Sequence, residues 1–118
     1  MKLILSPLAT LDIASIHSTS QRLFGQKQAD AYIDLIDDGF TSIAADPFRP
    51  SCRRCPQLGE GVQSFPLRLA RKRLSSASHV IYFRVVGEVG SQELQIVRIL
   101  HERMEPFAEI EAAIRLLK

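Results

Sequence analysis

The sequence lacks any apolar segment long enough to cross a membrane, and it has only two cysteines. No apolar stretch in the 118-residue chain approaches the roughly 18 residues that a membrane helix requires. The apolar start, Met1 to Leu5, is too short for a signal peptide, and no cleavage-site pattern follows it. A chain of this length buries about two-thirds of its unfolded surface, so neither a disulfide nor a metal is needed to hold a core. We expect one cytoplasmic domain spanning residues 1–118 and no membrane partner.

Several catalytic signatures are also missing. No glycine-rich phosphate loop and no Ser/His/Asp arrangement stands out. Repeats and low-complexity segments are absent as well. Hydrophobic residues make up 46% of the chain and charged residues 24%, which is typical of a globular protein. No cofactor and no metal site is therefore expected.

The charges are unevenly distributed along the chain. The segment from Arg49 to Arg103 contains ten Lys/Arg and four Asp/Glu, which gives it a local net charge of +6. The rest of the chain has five Lys/Arg and nine acids, a balance of −4, and the two sum to the net charge of +2. A basic stretch of this kind indicates a surface that meets an anionic partner. Alternatively, these side chains only solvate loops and strand edges.

The first part of the chain predicts a short strand followed by a helix. Leu3–Leu5 is the strand. Ser6 is a favourable helix cap, Pro7 suits the first helical position, and Gly25 is a typical stop. The apolar residues at helical spacing between these signals are Ala9, Ile13, Ile16 and Leu23.

A second helix is predicted from Gln26 to the residues before Pro47. Its apolar face contains Ala29, Tyr32, Ile33, Ile36, Phe40 and Ile43. Gly39 lies inside this helix and could interrupt it, since glycine costs about 1 kcal/mol relative to alanine there. Because the connection between the two helices is so short, they must form an antiparallel hairpin.

The second half of the chain predicts strands. The proline- and glycine-rich segment from Asp46 to Gly61 is predicted as a loop. The later elements are a strand at Ser64–Leu69, a turn at Leu74–Ser78, strands at His79–Val86 and Glu93–His101 joined by a Gly87–Gly90 hairpin, and a C-terminal helix from Phe107 to Leu117. Pro66 indicates that the first of these strands is an edge or contains a bulge.

Period-two alternation assigns the faces of the two long strands. Ile81, Phe83 and Val85 share one face of the first strand, and Val97 and Ile99 share one face of the second. The opposite, mixed faces would carry Tyr82, Arg84, Ile96 and Arg98. The element order therefore predicts an α+β fold. An N-terminal strand and an antiparallel helical hairpin pack on a small antiparallel sheet, and a short C-terminal helix follows.

This order and several motifs resemble the ParE branch of the ParE/RelE toxin superfamily. The opening LSPLATLDIASI, Leu5 to Ile16, is similar to the ParE opening. The strand pair HVIYFRV, His79 to Val85, and QIVRILHERMEP, Gln95 to Pro106, is the more specific signal. Departures from the pattern are Ser20, Gln63 and the two cysteines, and the middle loop is the weakest part of the resemblance.

The resemblance implies a toxin of a type II toxin–antitoxin pair. ParE proteins poison DNA gyrase by protein contact, and a ParD-like antitoxin holds them inactive by folding a segment onto the toxin. We therefore expect a hetero-oligomer with the antitoxin, whose segment could contact Leu11, Tyr32 and Phe40. The basic residues expected to bind the target or an anion are Arg68, Arg71, Lys72, Arg73, Arg98 and Arg103.

RelE-like relatives suggest a different function, cleavage of messenger RNA on the ribosome. Such a site would use Arg84, Arg98, His101 and Arg103, with Arg84 and Arg98 on one sheet face and His101 as acid or base. The tyrosine or histidine that commonly follows in these enzymes is missing after His101. This absence favours a toxin that is not an enzyme. A third alternative is a domain that has lost toxicity and persists as a binding module.

The pair Cys52 and Cys55 has the spacing of a metal or redox motif. One CxxC supplies two of the four ligands of a structural zinc site, and His79 and His101 could complete it only if the loop folded over the sheet. A thioredoxin-like motif would start a helix, whereas Pro50 and Pro56 place this one in a loop. Two free thiols or an adventitious disulfide are the favoured interpretations.

Overall fold

The computed structural model describes residues 1–71 and 77–117, and the fold is α+β as predicted. Its elements in chain order are β1 (Lys2–Leu5), α1 (Pro7–Phe24), α2 (Gln26–Ala45), β2 (Arg53–Arg54), β3 (Gln63–Pro66), β4 (His79–Val86), β5 (Glu93–His101) and α3 (Phe107–Leu116). Short 3-10 turns at Pro56–Leu58 and Leu67–Leu69 flank β3. Most of the predicted turn at Leu74–Ser78 lies outside the described residues. Among those described, no helix has the length and apolar character to span a bilayer.

The five strands form one sheet in the order β1-β5-β4-β3-β2. β1 pairs with β5 in parallel, and all other neighbours are antiparallel, so the sheet is mixed rather than purely antiparallel. The predicted loop 46–61 also contains the edge strand β2 and a helical turn. β3 is an inner strand that ends at Pro66, beyond the residues that pair with β2.

Local signals set the ends of both helices of the hairpin. The Ser6 hydroxyl accepts a hydrogen bond from the Ala9 backbone N–H at 2.9 Å, and Pro7 occupies the first turn. Gly25 separates the helices with φ of +91°, a conformation that residues with a Cβ rarely adopt. The helical hairpin was thus predicted with its correct ends.

Gly39 does not interrupt α2. A Cβ at this position would lie 2.8 Å from the Ile81 Cδ1 atom and 3.1 Å from the Leu67 Cδ1 atom. The glycine therefore lets α2 approach the sheet closely, and its intrinsic helix penalty is offset by packing.

A bulge in β5 corrects the predicted face assignment. Tyr82 pairs with Arg98 while Phe83 pairs with Ile96, so Val97 is the extra residue. The alternation of side chains reverses there. As a result, Ile96 and Ile99 join the core beneath the helical hairpin, and Val97 lies on the other side of the sheet.

Two apolar clusters follow from this arrangement. The larger lies between the helical hairpin and the sheet and includes Ile36, Ile43, Phe65, Ile81, Phe83, Leu94, Ile96 and Ile99. The smaller lies between α3 and the opposite sheet face and includes Cys55, Leu58, Val62, Val97, Leu100, Ile110 and Ala113. The sheet is therefore covered on both faces.

The side chains of Ser6 and Asp12 form hydrogen bonds with the outer edge of β5 beyond the end of β1. The last pair of the parallel ladder is Leu5 with Ile96. Beyond it, the Ser6 hydroxyl donates to the Val97 carbonyl at 2.6 Å, and an Asp12 carboxylate oxygen accepts from the Ile99 N–H at 3.0 Å. These bonds satisfy backbone groups that an open edge would leave unpaired.

Candidate functional site

One end of the sheet brings several of the predicted functional residues together. β3 ends and β4 begins there, with Pro66 opposite Val80, and β5 ends there, with His101 opposite His79. We call this the His79–His101 end. The segment after β3 and the turn after β5 both lie at this end.

A groove of about 500 Å³ opens between this end and the helical hairpin. Its apolar lining comes from α1 and includes Ile16, Leu23 and Phe24. The last two are 57% and 70% exposed and form an apolar rim of the groove. Tyr32, His79 and His101 supply polar groups to the same groove.

Three rings contribute to the polar lining of the groove. The Tyr32 hydroxyl lies 2.6 Å from the His79 Nδ1 atom. The His79 ring meets the His101 ring edge to face, with 5.5 Å between their centroids and 81° between their planes. Burial lowers the pKa of His79 to about 4, and the neighbouring His101 adds to the shift. His79 is therefore neutral near pH 7.

Arg98 is held by two carboxylates. Its Nε and Nη2 atoms donate to Asp12 at 2.7 and 2.8 Å, and its Nη1 atom donates to Glu109 at 2.9 Å. The hydrogen bond and charge of Asp12 raise the pKa of Arg98 above its usual value. Arg98 lies opposite Tyr82 and Arg84 lies opposite Gln95, so the two arginines share one sheet face, but Asp12 of α1 and Glu109 of α3 hold the guanidinium of Arg98.

The other predicted cations are spread over the molecule. Arg84 donates to Gln95 in mid-sheet at 2.8 Å. Arg68, Arg71 and Arg103 lie at or near the His79–His101 end and are exposed, and Arg71 forms an ion pair with Asp38. The remaining predicted cations, Lys72 and Arg73, lie outside the described residues.

The three residues predicted to contact a partner segment have different environments. Tyr32 lines the groove, and Leu11 is 63% exposed on α1. Phe40 is 7% exposed and packs in the larger core. It cannot line an exposed surface in this fold, because α2 turns it toward the sheet.

The two cysteines are free thiols on opposite sides of the sheet. Cys52 belongs to the larger core and Cys55 to the smaller one. The Cys55 Sγ lies 3.5 Å from the Ser64 hydroxyl, to which it donates, and burial raises the pKa of Cys52. An odd spacing across an extended segment directs the two side chains to opposite faces, which prevents a mutual disulfide. Within residues 1–71 and 77–117, no three His, Cys, Asp or Glu side chains are grouped to hold a metal.

Comparison with known proteins identifies the family. Residues 3–106 match the family model described as the ParE toxin of type II toxin-antitoxin system, parDE. The chain belongs to the ParE toxin family. Membership confirms the resemblance seen in the sequence and makes the chain a ParE-type toxin of a type II toxin–antitoxin system, a family that implies an antitoxin partner.

Curated ParE relatives cover most of the chain. Toxin ParE1 of Mycobacterium tuberculosis is 28% identical over 102 residues, 86% of this chain and 90% of that protein. Toxin ParE1 of Caulobacter vibrioides is 29% identical over 106 residues, 90% of this chain and 94% of that protein. The similarity thus extends over nearly the full length of each relative.

Solved structures support the same fold. A chain of the chromosomal ParDE TA system from P. aeruginosa superposes with a TM-score of 0.66 at 23% identity, covering 86% of this chain and 95% of that one. A YoeB/ParE toxin from Agrobacterium tumefaciens gives a TM-score of 0.60 at 18% identity, covering 86% and 98%. At these identities the likeness establishes the ParE fold alone.

Sequence reasoning missed His79 as a partner of Tyr32, and it missed the apolar rim at Leu23 and Phe24. His79 had been considered only as a metal ligand. Counting outward from the pair Val86–Glu93 would bring His79 opposite Leu100, and only the bulge at Val97 brings it opposite His101, so the sequence alone carries no signal for this pair. The link to Tyr32 spans 47 positions of the chain and has no local signature.

Proposed function

We propose that this ParE-family toxin acts in the cytoplasm, inhibits DNA gyrase by direct contact without catalysing a reaction of its own, and is held inactive by a ParD-like antitoxin. The observation that carries the proposal is that the cations required for a RelE-type ribonuclease do not converge. Arg98 is bound to Asp12 and Glu109. Arg84 lies five positions along β4 from His79, which corresponds to about 16 Å of strand.

The proposed target surface is the basic rim of the His79–His101 end. It comprises Arg68, Arg71 and Arg103. Lys72 and Arg73 were also predicted from the sequence to contact the target, and they lie outside the described residues. Exposed arginines form bidentate contacts with carboxylates and phosphates, so this rim suits an acidic protein surface or the DNA held by the enzyme. Arg98 is left out of the rim because its side chain is largely buried and bound to Asp12 and Glu109.

We expect the antitoxin to inhibit the toxin because the groove lies beside this basic rim. An antitoxin segment that occupies the groove at Tyr32 and extends over Leu11 would cover part of the surface used on the target. Its binding would bury the exposed apolar rim formed by Leu23 and Phe24. Acidic residues in the segment would complement the +6 stretch of the toxin.

The test is an incubation of purified toxin with gyrase and supercoiled plasmid, beside translating ribosomes that carry a defined mRNA. We expect gyrase-dependent DNA cleavage and intact mRNA. Codon-proximal mRNA cuts would instead support the ribonuclease, and their loss in His101→Ala would strengthen that alternative. No response in either assay, with normal growth when the toxin is expressed alone, would indicate a non-toxic binding module.

A charge-reversal pair locates the target surface. Arg68→Glu combined with Arg103→Glu should raise the toxin concentration for half-maximal DNA cleavage by about tenfold or more, because like charges then face the acidic target. Arg53→Glu with Arg54→Glu is the matched control, since it changes net charge equally on the exposed strand β2. An equal loss in both variants would indicate an effect of net charge rather than of this rim.

The antitoxin is tested by co-expression. The product of a small open reading frame beside the toxin gene should restore growth and co-purify with the toxin. Failure of every such product to bind would contradict this part of the proposal.

A further inference from the structure

The proton positions of the two groove imidazoles follow from their hydrogen bonds. We assign the Tyr32 hydroxyl as the donor to His79 Nδ1 at 2.6 Å, because burial raises the pKa of Tyr32 and keeps the phenol protonated. The Arg103 backbone N–H donates to His101 Nδ1 at 3.1 Å. A neutral imidazole whose Nδ1 accepts a hydrogen bond carries its proton on Nε2. Both rings therefore offer an Nε2–H donor.

The two rings are close enough to act on one ligand. Their centroids are 5.5 Å apart, and both rings line the groove. Both side chains line the groove, so we infer that their Nε2–H groups are available to one oxygen or to neighbouring acceptors of a ligand. Their Nδ1 atoms are occupied, so the pair presents donors and no acceptor.

The groove lining, as far as the structure describes it, contains no Asp, Glu, Lys or Arg side chain. The other polar lining residues are Ser15, Thr19, Ser20, Gln28 and Ser78. A carboxylate or an ammonium group placed here would lose water without meeting an opposite charge in the lining. A neutral carbonyl would meet donors and has little charge to desolvate.

We propose that the His79–His101 imidazole pair binds a neutral carbonyl group, a main-chain carbonyl or a side-chain carboxamide, of the antitoxin segment. An adjacent apolar side chain of that segment packs against Ile16, Leu23 and Phe24. The assignment of the occupant rests on the proposed toxin–antitoxin function. It is argued from complementarity, because an uncharged groove with paired donors and an apolar rim matches a peptide unit beside an apolar side chain and not a charged group.

Fragment binding tests the chemistry without any antitoxin. The full-length toxin is titrated with N-acetyl-leucinamide, with N-acetyl-leucine as the carboxylate and with isopentylamine as the cation. The imidazole nitrogen and Hε1 signals of His79 and His101 are followed by NMR. We expect the amide to shift both sets of signals and to bind at least about fivefold more tightly than either charged probe, because a charged group loses more solvation.

Variants of His101 separate hydrogen bonding from shape. His101→Leu keeps an apolar side chain of similar size but removes the donor, and should weaken amide binding by about tenfold. His101→Gln returns an N–H group near the Nε2 position and should restore affinity to within about threefold of the wild type. His17→Gln is the control, since His17 pairs with Asp30 outside the groove lining. Because His101 is exposed, these variants should keep the wild-type melting temperature.

The outcomes separate the subsite from the toxin function. Tighter binding of the carboxylate than of the amide, or unchanged amide binding in His101→Leu, would overturn the proposed chemistry. Equal antitoxin affinity for the wild type, His101→Leu and His101→Gln would overturn the assignment of the antitoxin as occupant. If no product of a neighbouring gene binds the wild-type chain, the proposed function fails, while the fragment titration still decides the chemistry of the subsite.

Discussion

Removal of the Asp12 carboxylate should destabilise the fold much more than the loss of a surface ion pair. Asp12 accepts two hydrogen bonds from Arg98 and one from the Ile99 backbone N–H. The side chains of Arg98 and Asp12 are 11% and 13% exposed, so water cannot readily replace the lost carboxylate. Asp12→Ala therefore leaves a largely buried guanidinium and an unpaired backbone group.

The size of the stability loss in Asp12→Ala depends on the groups that still surround Arg98. Breaking a buried pair by removing one partner costs about 3–5 kcal/mol. Glu109 stays in contact with Arg98, but its side chain is 42% exposed and water screens it. We expect Asp12→Ala to lower the free energy of unfolding by about 3 kcal/mol, the low end of that range. Adding Arg98→Met removes the stranded charge, and the unmade hydrogen bond of Ile99 then accounts for about 1 kcal/mol.

Urea unfolding of the wild type, both single variants and the double variant measures this coupling. The double variant should be more stable than Asp12→Ala alone. Glu111→Ala, which breaks the exposed pair with Arg115, serves as the control and should leave stability almost unchanged. Additive losses in the double variant, or a loss below about 1 kcal/mol in Asp12→Ala, would refute the reasoning from burial.

Three further predictions concern packing, protonation and thiols. Gly39→Ala should destabilise the protein by about 1–3 kcal/mol in urea unfolding, despite the better helix propensity of alanine, because its Cβ meets Ile81 at 2.8 Å; a stabilised variant would contradict this. His79 should titrate near pH 4 by NMR. Since the unfolded imidazole binds its proton at its ordinary value of 6.5, the free energy of unfolding should fall as the pH drops from 6.5 toward 4, and His79→Phe should lack this contribution. Cys52 and Cys55 should react with a thiol reagent mainly after unfolding, and a disulfide between them in the folded protein would overturn their placement.

Much of the fold was predictable because its boundaries carry local chemistry. Ser6 and Pro7 start α1, Gly25 ends it, and the Gly87–Gly90 turn delimits β4 and β5. These signals act over a few residues, so they can be read from the chain alone. Gly39 shows the limit of such reasoning, because its role depends on side chains from distant strands.

The site was less predictable because the bulge alters which side chains meet. The sequence placed Arg98 and Arg84 on one sheet face, and the register keeps both there, but the guanidinium of Arg98 is bound to Asp12, which is 86 positions away in sequence. The cations expected to form a catalytic set therefore belong to separate environments. Family resemblance identified the toxin, whereas the groove needed the relative positions of the helical hairpin and the sheet end.

The bulge at Val97 also limits how this protein can change in evolution. β5 supplies Ile96 and Ile99 to one core and Val97 and Leu100 to the other. Deleting Val97 would restore a regular ladder and remove one side chain from the smaller core, whereas an insertion in this stretch that no second bulge absorbs would exchange the two sets between the cores. A substitution alters one side chain, whereas a change of length that the bulge does not absorb moves several core side chains at once. The length of β5 between Leu94 and His101 should therefore change only by loss of the bulge at Val97.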